Sequence, residues 1–359
     1  MTALVWHSSF ASFTGYSGSS LALVLGLDRR GVAVRPLYLY GADHDEQIAA
    51  GRMHPRISEL QQQPLDLGGV QVVYAPGDRL SKNSGRYRIG YTMHETDRLP
   101  REWVVQANQM DELWVPSTWG AEVFRASGIT RPVYTVPLGI DPQIYRPGPP
   151  RQTLSDRTVF LSVFEWGPRK GWPILLEAYC RAFTAHDPVL LLLKIDQRAP
   201  GNPIPELAAH LPAAAPPISL IYNQGLSPAR MAELYRSADC FVLPTHGEGW
   251  GMPILEAMAC GTPAIATNWG AQTSFLSAEN SFLLPIRGLI PADPHNRYMH
   301  GSHWADPDRD ALVELLRLVV ADPAKRQEIG KQAASAAQQW PWARGVAAIE
   351  QRLATIGSA

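Results

Sequence analysis

Cysteine is scarce: the 359-residue chain has three, Cys180, Cys240 and Cys260, with no CxxC spacing. All three stand in apolar surroundings, so neither a disulfide framework nor a zinc site is expected. They read as buried, reduced thiols, which suits a cytoplasmic protein. An excess of charge is missing as well. The formal net charge is −1 with 18% charged residues, so the basic surplus of nucleic-acid binders is absent and no nucleic-acid partner is expected. No apolar run reaches the length that spans a bilayer. The opening stretch MTALVWHSSF lacks a basic segment followed by an apolar one, so no signal peptide is expected. Peripheral attachment to a membrane stays open.

What is present is 45% hydrophobic residues, enough to fold, in a chain whose length suits two domains. Short apolar runs alternate with amphipathic segments, the pattern of α/β folds with parallel sheets. Strands are expected at Ala3–Trp6, from Val32, and at Gln71–Tyr74, Arg88–Thr92, Glu112–Val115 and Val133–Val136, with a helix over Ser19–Arg30 and a capping Ser117. The stretch Pro142–Pro150 is the best linker. A second series follows, with strands at Thr158–Val163, Val189–Leu193, Ile218–Tyr222, Asp239–Pro244 and Thr262–Thr267, and helices filling most of the remainder. A ligand site between two such halves is the default expectation.

Between the strand Asp239–Pro244 and the next helix stands His246-Gly247-Glu248-Gly249-Trp250-Gly251-Met252-Pro253-Ile254-Leu255-Glu256. Pro253 suits the first helical position and Gly261 a helix stop. Loops at strand ends are where open α/β sheets bind ligands. Glycines let backbone N–H groups approach an anion, and a helix N-terminus adds partial positive charge. Gly249, Trp250, Gly251 and Met252 therefore suit a phosphate cradle. Glu256, expected in the first helical turn, suits ribose hydroxyls, and Glu248 a sugar or a developing charge. A lone glycine loop is more often just a tight turn. The turn Gly167-Pro168-Arg169-Lys170-Gly171, at another strand end of the same half, changes the balance, since Arg169 and Lys170 can neutralise a diphosphate.

The stretch from Tyr235 to Pro263, with Glu248 and Glu256 as a Glu-x7-Glu pair, resembles the signature of the retaining glycosyltransferases of family four, the group 1 glycosyltransferases. Val115–Trp119, Val136–Asp141 and Arg169-Lys170-Gly171 extend the resemblance over most of the chain. It is weakest in residues 1–90 and 285–305. The resemblance implies a GT-B fold: two Rossmann-like domains facing a deep cleft, here 1–147 on the acceptor side and 148–340 on the donor side, with a last helix in 341–359 crossing back to the first domain. It implies transfer of a sugar from a nucleotide diphosphate sugar to a glycan, lipid-linked or small-molecule acceptor, with retention. By the same resemblance Glu256 binds the donor ribose, Glu248 lies near the transferred sugar, Lys170 holds the diphosphate, and Gly15 and Gly18 belong to a glycine-rich loop facing the donor. His94 aligns with a histidine facing the reacting sugar. The family's usual arginine five positions before Lys170 is Glu165 here, and Arg169 is a candidate replacement.

No Asp-x-Asp pair stands in an expected donor loop, and the cations and backbone dipoles already match the leaving charge. No metal or other cofactor is therefore expected. His246 is a further candidate donor to the sugar or phosphate. Trp250 and Trp269 are expected in donor-side loops, where either could pack in the core or stack on a ring. Arg79, Lys82, Arg86 and Arg88 read as a solvated loop rather than an anion-binding face. The competing readings are an epimerase or hydrolase on the same fold and a non-catalytic nucleotide-sugar sensor.

Overall fold

The computed structural model describes residues 3–11, 14–40, 54–64, 66–148, 156–196 and 202–357. Pro149 and Pro150 of the expected linker lie outside the described residues. The chain divides into two units, Met1–Gly139 with Trp340–Ala359, and Ile140–Gln339. The division precedes the expected boundary at 147/148 because Tyr145 is committed to the second unit. Its ring meets Tyr235 at 6.3 Å and its carbonyl accepts from Gln338 Nε2 at 3.1 Å.

In the first unit β1 (Leu4–Ser8), β2 (Val34–Tyr38), β3 (Val70–Tyr74), β4 (Tyr87–Tyr91), β5 (Glu112–Val115) and β6 (Val133–Thr135) form one parallel sheet in the order β2-β1-β3-β4-β5-β6. All four residues of β5 are buried, as expected for strands covered on both faces. Ser117 caps the helix Thr118–Ala126 by accepting from the Gly120 N–H. The first helix starts at Gly15, earlier than the apolar pattern suggests, because Thr14 caps it through the Ser17 N–H.

The last helix, Trp342–Gly357, belongs to this unit. Gly345 lets it lie against the chain at Pro137, where a Cβ would come 2.3 Å from the Pro137 carbonyl oxygen. Arg352 donates to Glu112 Oε2 at 2.6 Å, and its guanidinium lies 3.7 Å above the Tyr134 ring. Glu112 is 1% exposed and also accepts from the Trp114 indole and the Tyr87 hydroxyl. Removing one partner of a buried ion pair strands the other charge. Arg352→Ala is therefore expected to lower stability by about 3 kcal/mol in denaturant unfolding, with most of the loss recovered in Glu112→Gln/Arg352→Met. An unchanged midpoint for Arg352→Ala would refute the docking role.

In the second unit β7 (Thr158–Glu165), β8 (Val189–Asp196), β9 (Ile218–Tyr222), β10 (Cys240–Leu243), β11 (Ala264–Thr267) and β12 (Phe282–Leu284) pair in parallel in the order β12-β11-β10-β7-β8-β9. The chain runs outward from β7 in one direction and from β10 in the other. Their shared border is thus the topological switch point, where an open sheet leaves a crevice outside its strand ends. Both motif loops, after β7 and after β10, emerge there.

Helices do not fill the remainder as expected. Beyond β12 an antiparallel hairpin, β13 (Ile286–Pro291) with β14 (His303–Pro307), stands apart from the main sheet. Its connection carries Ala292 and Met299, which pack with Trp304 into a small separate core. Cys240 and Cys260 are buried free thiols, while Cys180 is only half-buried.

Candidate functional site

The turn after β7 is a single tight helical turn, Pro168–Lys170, closed by Gly171 at φ +66°. The loop after β10 runs from Pro244 to Gly251, itself at φ +94°, and opens the helix Met252–Ala259. The two are stitched together by backbone. The His246 N–H donates to the Arg169 carbonyl at 2.8 Å, and the Thr245 hydroxyl reaches the same oxygen at 3.1 Å. This seam brings Arg169, Lys170 and Glu248 to one place. Lys170 Nζ donates to Glu248 Oε1 at 2.6 Å, Arg169 lies 3.2 Å from the same oxygen, and the Thr245 hydroxyl donates to it at 3.0 Å. Arg169 also donates to the Gly247 carbonyl at 2.6 Å.

Glu248 is 6% exposed. Burial pushes its carboxyl up, but the Lys170 ammonium, then the Arg169 guanidinium, then hydrogen bonds from Lys170 and Thr245 outweigh it and hold the group below the ordinary range. It is therefore a charged carboxylate at neutral pH. Two cations stand against the Glu248 carboxylate, with Glu165 at the end of β7 as a second, exposed carboxylate; the cations are of the sign that suits a diphosphate. Arg169 thus stands beside Lys170 on one carboxylate, while Glu165 ends β7 exposed to solvent.

His246 lies beneath this loop. Its Nδ1 is 2.6 Å from the Ala305 carbonyl and its ring stacks on Trp304 at 4.6 Å. A carbonyl only accepts, so Nδ1 carries the proton. Burial lowers the pKa of the ring, which favours the neutral form. In that tautomer Nε2 is an acceptor, so the neutral ring has no second N–H for the donation expected of His246. Trp250 is also settled: it is 2% exposed and packs on Phe275 at 5.5 Å, so its side chain is core. Only its backbone, like that of Gly249, remains for an anion. Trp269 packs against the small hairpin core.

The helix begins at Met252, with Pro253 second, and Glu256 consequently falls in its second turn rather than its first. Its Oε2 accepts from the Tyr235 hydroxyl at 2.8 Å, and Tyr145 supplies a further hydroxyl. Burial raises the Glu256 carboxyl from 4.5 to about 7, against the pull of those two hydrogen bonds. A group with a raised folded pKa contributes stability that is full below its unfolded value and is lost as pH rises through about 7. Ligand binding runs the opposite way if the charged form accepts ribose hydroxyls. Affinity for a nucleotide sugar, whose diphosphate does not titrate in this range, is expected to strengthen as pH rises through about 7. Tyr235→Phe removes a bond to the charged form and should move that midpoint upward. Calorimetric titration across pH checks both, and a flat profile for the parent protein would remove Glu256 from the binding residues.

The remaining candidates lie in the first unit. Gly15 and Gly18 are not in a loop. They form the first turn of the helix Gly15–Arg29, and a Cβ at either would meet nothing within 4 Å. The Tyr16 hydroxyl lies 3.3 Å from Thr92 Oγ1, which places this helix start beside the segment after β4 that carries His94. His94 is 3% exposed, its ring edge against Trp103 at 4.9 Å and its Nδ1 4.0 Å from Glu95. In the basic run Arg79 lies 3.5 Å from Asp78, Arg86 2.7 Å from Asp66 and Arg88 3.7 Å from Asp111, while Lys82 donates to the Leu39 carbonyl. These residues have local partners, but the run is not one loop: Arg79 and Lys82 lie in the short helix Gly77–Lys82 and Arg88 in β4. Among the described residues no cluster of three or more His, Cys, Asp or Glu side chains could hold a metal, and no helix is long and apolar enough to cross a membrane.

Two parallel-sheet units, with cations and carboxylates converging at the switch point of the second, have the GT-B architecture of glycosyltransferases. The chain belongs to the glycosyl transferases group 1, whose family model matches residues 150–336. A D-inositol 3-phosphate glycosyltransferase from Rhodococcus opacus is 27% identical over 282 residues, covering 76% of this chain and 52% of the relative. The chain thus spans about half the length of the curated relatives it matches. A sucrose-phosphate synthase from Thermosynechococcus elongatus superposes with a TM-score of 0.72 at 17% identity, covering 100% of both chains. HepE of Anabaena, solved in complex with UDP and glucose, superposes with a TM-score of 0.69 at 17% identity, again over 100% of both.

Proposed function

We propose that the chain transfers a hexosyl unit from a nucleotide diphosphate sugar to a hydroxyl acceptor, such as a glycan, a lipid-linked sugar or a small molecule, with retention of configuration and in the cytoplasm. The observation that carries this reading is the buried Glu248 held by Lys170 and Arg169 at the switch point. The departing diphosphate gains negative charge in the transition state. Lys170, Arg169 and the helix N-terminus at Gly249–Met252 are positioned as a unit to receive it. Glu248 stands at the transferred sugar, Glu256 holds the ribose, and His94 serves the reacting sugar. Attack occurs from the face that the diphosphate leaves, through an oxocarbenium-like state. That the relatives are named glycosyltransferases, and that a fold neighbour binds UDP and glucose, supports the reading.

The test is incubation of the pure chain with UDP-, GDP- and ADP-sugars, with and without candidate acceptors. Acceptor-dependent nucleotide release, with the donor's anomeric configuration kept in the product by NMR, is expected. Release without acceptor would favour a hydrolase, and binding without turnover a sensor. Because the two cations are proposed to carry the leaving charge without a metal, turnover should persist in chelator. Its loss there, restored by a divalent cation, would overturn that part of the reading.

A further inference from the structure

The β13–β14 hairpin takes no part in the transfer reaction as proposed, yet it is joined to the loop that carries Glu248. A two-stranded ribbon standing apart from a larger sheet is marginally stable at best and needs something to pack on. Here it packs on both flanks of Glu248. On one flank stands His246, two residues before the carboxylate. Its carbonyl accepts from the Ala305 N–H at 2.9 Å, and its Nδ1–H donates to the Ala305 carbonyl at 2.6 Å. One histidine thus grips both backbone groups of one β14 residue. Its ring also stacks on Trp304, 4.6 Å away with the planes 15° apart. On the other flank is the loop after β11. Trp269 of that loop packs on the hairpin core of Ala292, Met299 and Trp304. Two residues further on, the Ala271 N–H donates to the Glu248 carbonyl at 3.1 Å.

The loop itself has little with which to keep its shape. Glycines at 247, 249 and 251 permit many backbone conformations and offer no side chains to pack. Its order has to come from neighbouring elements. The β7 turn supplies part of it, through the bond from the His246 N–H to the Arg169 carbonyl. The hairpin supplies the rest, from the opposite side. Covering the hairpin's apolar residues needs only the stacked rings and Trp269. The reciprocal hydrogen bonds between His246 and Ala305 add something that apolar contact does not, since they fix distance and register between β14 and the loop.

We infer that the β13–β14 hairpin is a strut for the Glu248 loop, and that His246 and Trp269 are the positioning residues through which it aims the carboxylate. The inference deepens the glycosyl-transfer reading and rests on it for what Glu248 does.

The experiment takes the His246 grip apart in the full chain. His246→Phe keeps a ring on Trp304 and removes the N–H. His246→Asn keeps an N–H donor near the Nδ1 position and removes the ring. The backbone bond from residue 246 to the Arg169 carbonyl survives in both, so the cationic turn keeps its place. Calorimetric UDP binding and the donor KM are therefore expected within threefold of the parent. A displacement of about 1 Å at a reacting centre costs up to about 10²-fold, so kcat should fall at least tenfold in His246→Phe and recover to within threefold of the parent in His246→Asn. Trp269→Leu should lower kcat by a similar factor. The double variant His246→Phe/Trp269→Leu should lose less than the product of the two, because both act through one hairpin.

Hydrogen exchange reports on the strut without turnover. The Ala305 and Ala271 amides should exchange at least threefold faster in His246→Phe and at the parent's rate in His246→Asn. A lowered Tm with kcat unchanged in His246→Phe and Trp269→Leu overturns the positioning role and leaves both residues with packing alone. So does a His246→Asn variant no more active than His246→Phe. A parent that transfers from no nucleotide sugar strikes the glycosyl-transfer reading instead. The exchange rates then decide the strut: faster exchange in His246→Phe upholds it, and parent-like exchange overturns it.

Discussion

Replacing Lys170 by methionine is expected to lower kcat/KM for the sugar donor by about 10²–10³, the effect of deleting one preorganised donor at a developing oxyanion. The side chain is only 13% exposed and its ammonium lies 2.6 Å from a buried carboxylate. Methionine keeps the stem and removes the charge. Arg169→Met should do less damage to chemistry, because part of the Arg169 fork is spent on the Gly247 carbonyl. A second expectation follows from the order of forces on Glu248. Burial drives its carboxyl up and Lys170 is the largest force pulling it down. Without the lysine the carboxyl should protonate at higher pH, and the acid limb of the pH–rate profile should shift toward neutrality. A purely structural lysine would predict something else, namely that Lys170→Met/Glu248→Gln regains activity once the buried charge is gone. Recovery in the double variant to within tenfold of the parent would remove Lys170 from the leaving-group role.

The parts of the fold that the sequence announces are those governed by local signals. β5 and β9 run over the expected residues because each is a short apolar or β-branched run ended by a polar or proline-containing turn. Thr118–Ala126 starts where Ser117 says it should. The seam was legible in part. Glycines, cations and two glutamates pointed to two loops, and the strand order puts those loops side by side. What stayed hidden was set by side chains arriving from far along the chain. Tyr235 and Tyr145 on Glu256, Ala305 on His246, and Phe275 over Trp250 are all contacts across sheet positions that no local period encodes. The β13–β14 hairpin was missed because Gly288 interrupts β13 and prolines, Pro291 and Pro307, end the two strands, which makes them read as loop. Gly15 and Gly18 misled in the opposite sense. Glycine in a first turn breaks the helical pattern on paper, but the Thr14 cap holds that turn in the structure.

Gly171→Ala should be among the most destabilising single substitutions in the chain, about 4 kcal/mol or more by the mechanisms that produce extreme values. Two independent obstacles meet there. The residue sits at φ +66°, a left-handed conformation that disfavours L side chains by roughly 1–2 kcal/mol. A Cβ would also fall 1.9 Å from the carbonyl oxygen of Pro244. That oxygen belongs to backbone leaving β10, so no rotamer change relieves the clash. Relief requires the β7 turn and the β10 loop to part, which breaks the bonds from His246 and Thr245 to the Arg169 carbonyl. The same parting draws Lys170 away from Glu248, so any folded fraction should show a weakened donor KM as well as a lowered Tm. Gly167, at the other end of the turn, supplies the control. Its φ of 165° is extended and a Cβ there meets nothing within 4 Å, so Gly167→Ala is expected to change stability by no more than about 0.5 kcal/mol. Side-by-side thermal and denaturant unfolding of the two variants decides the matter. Equal midpoints would mean that the seam yields without strain, and the close approach of Gly171 to Pro244 would then have no part in holding Arg169 and Lys170 against Glu248.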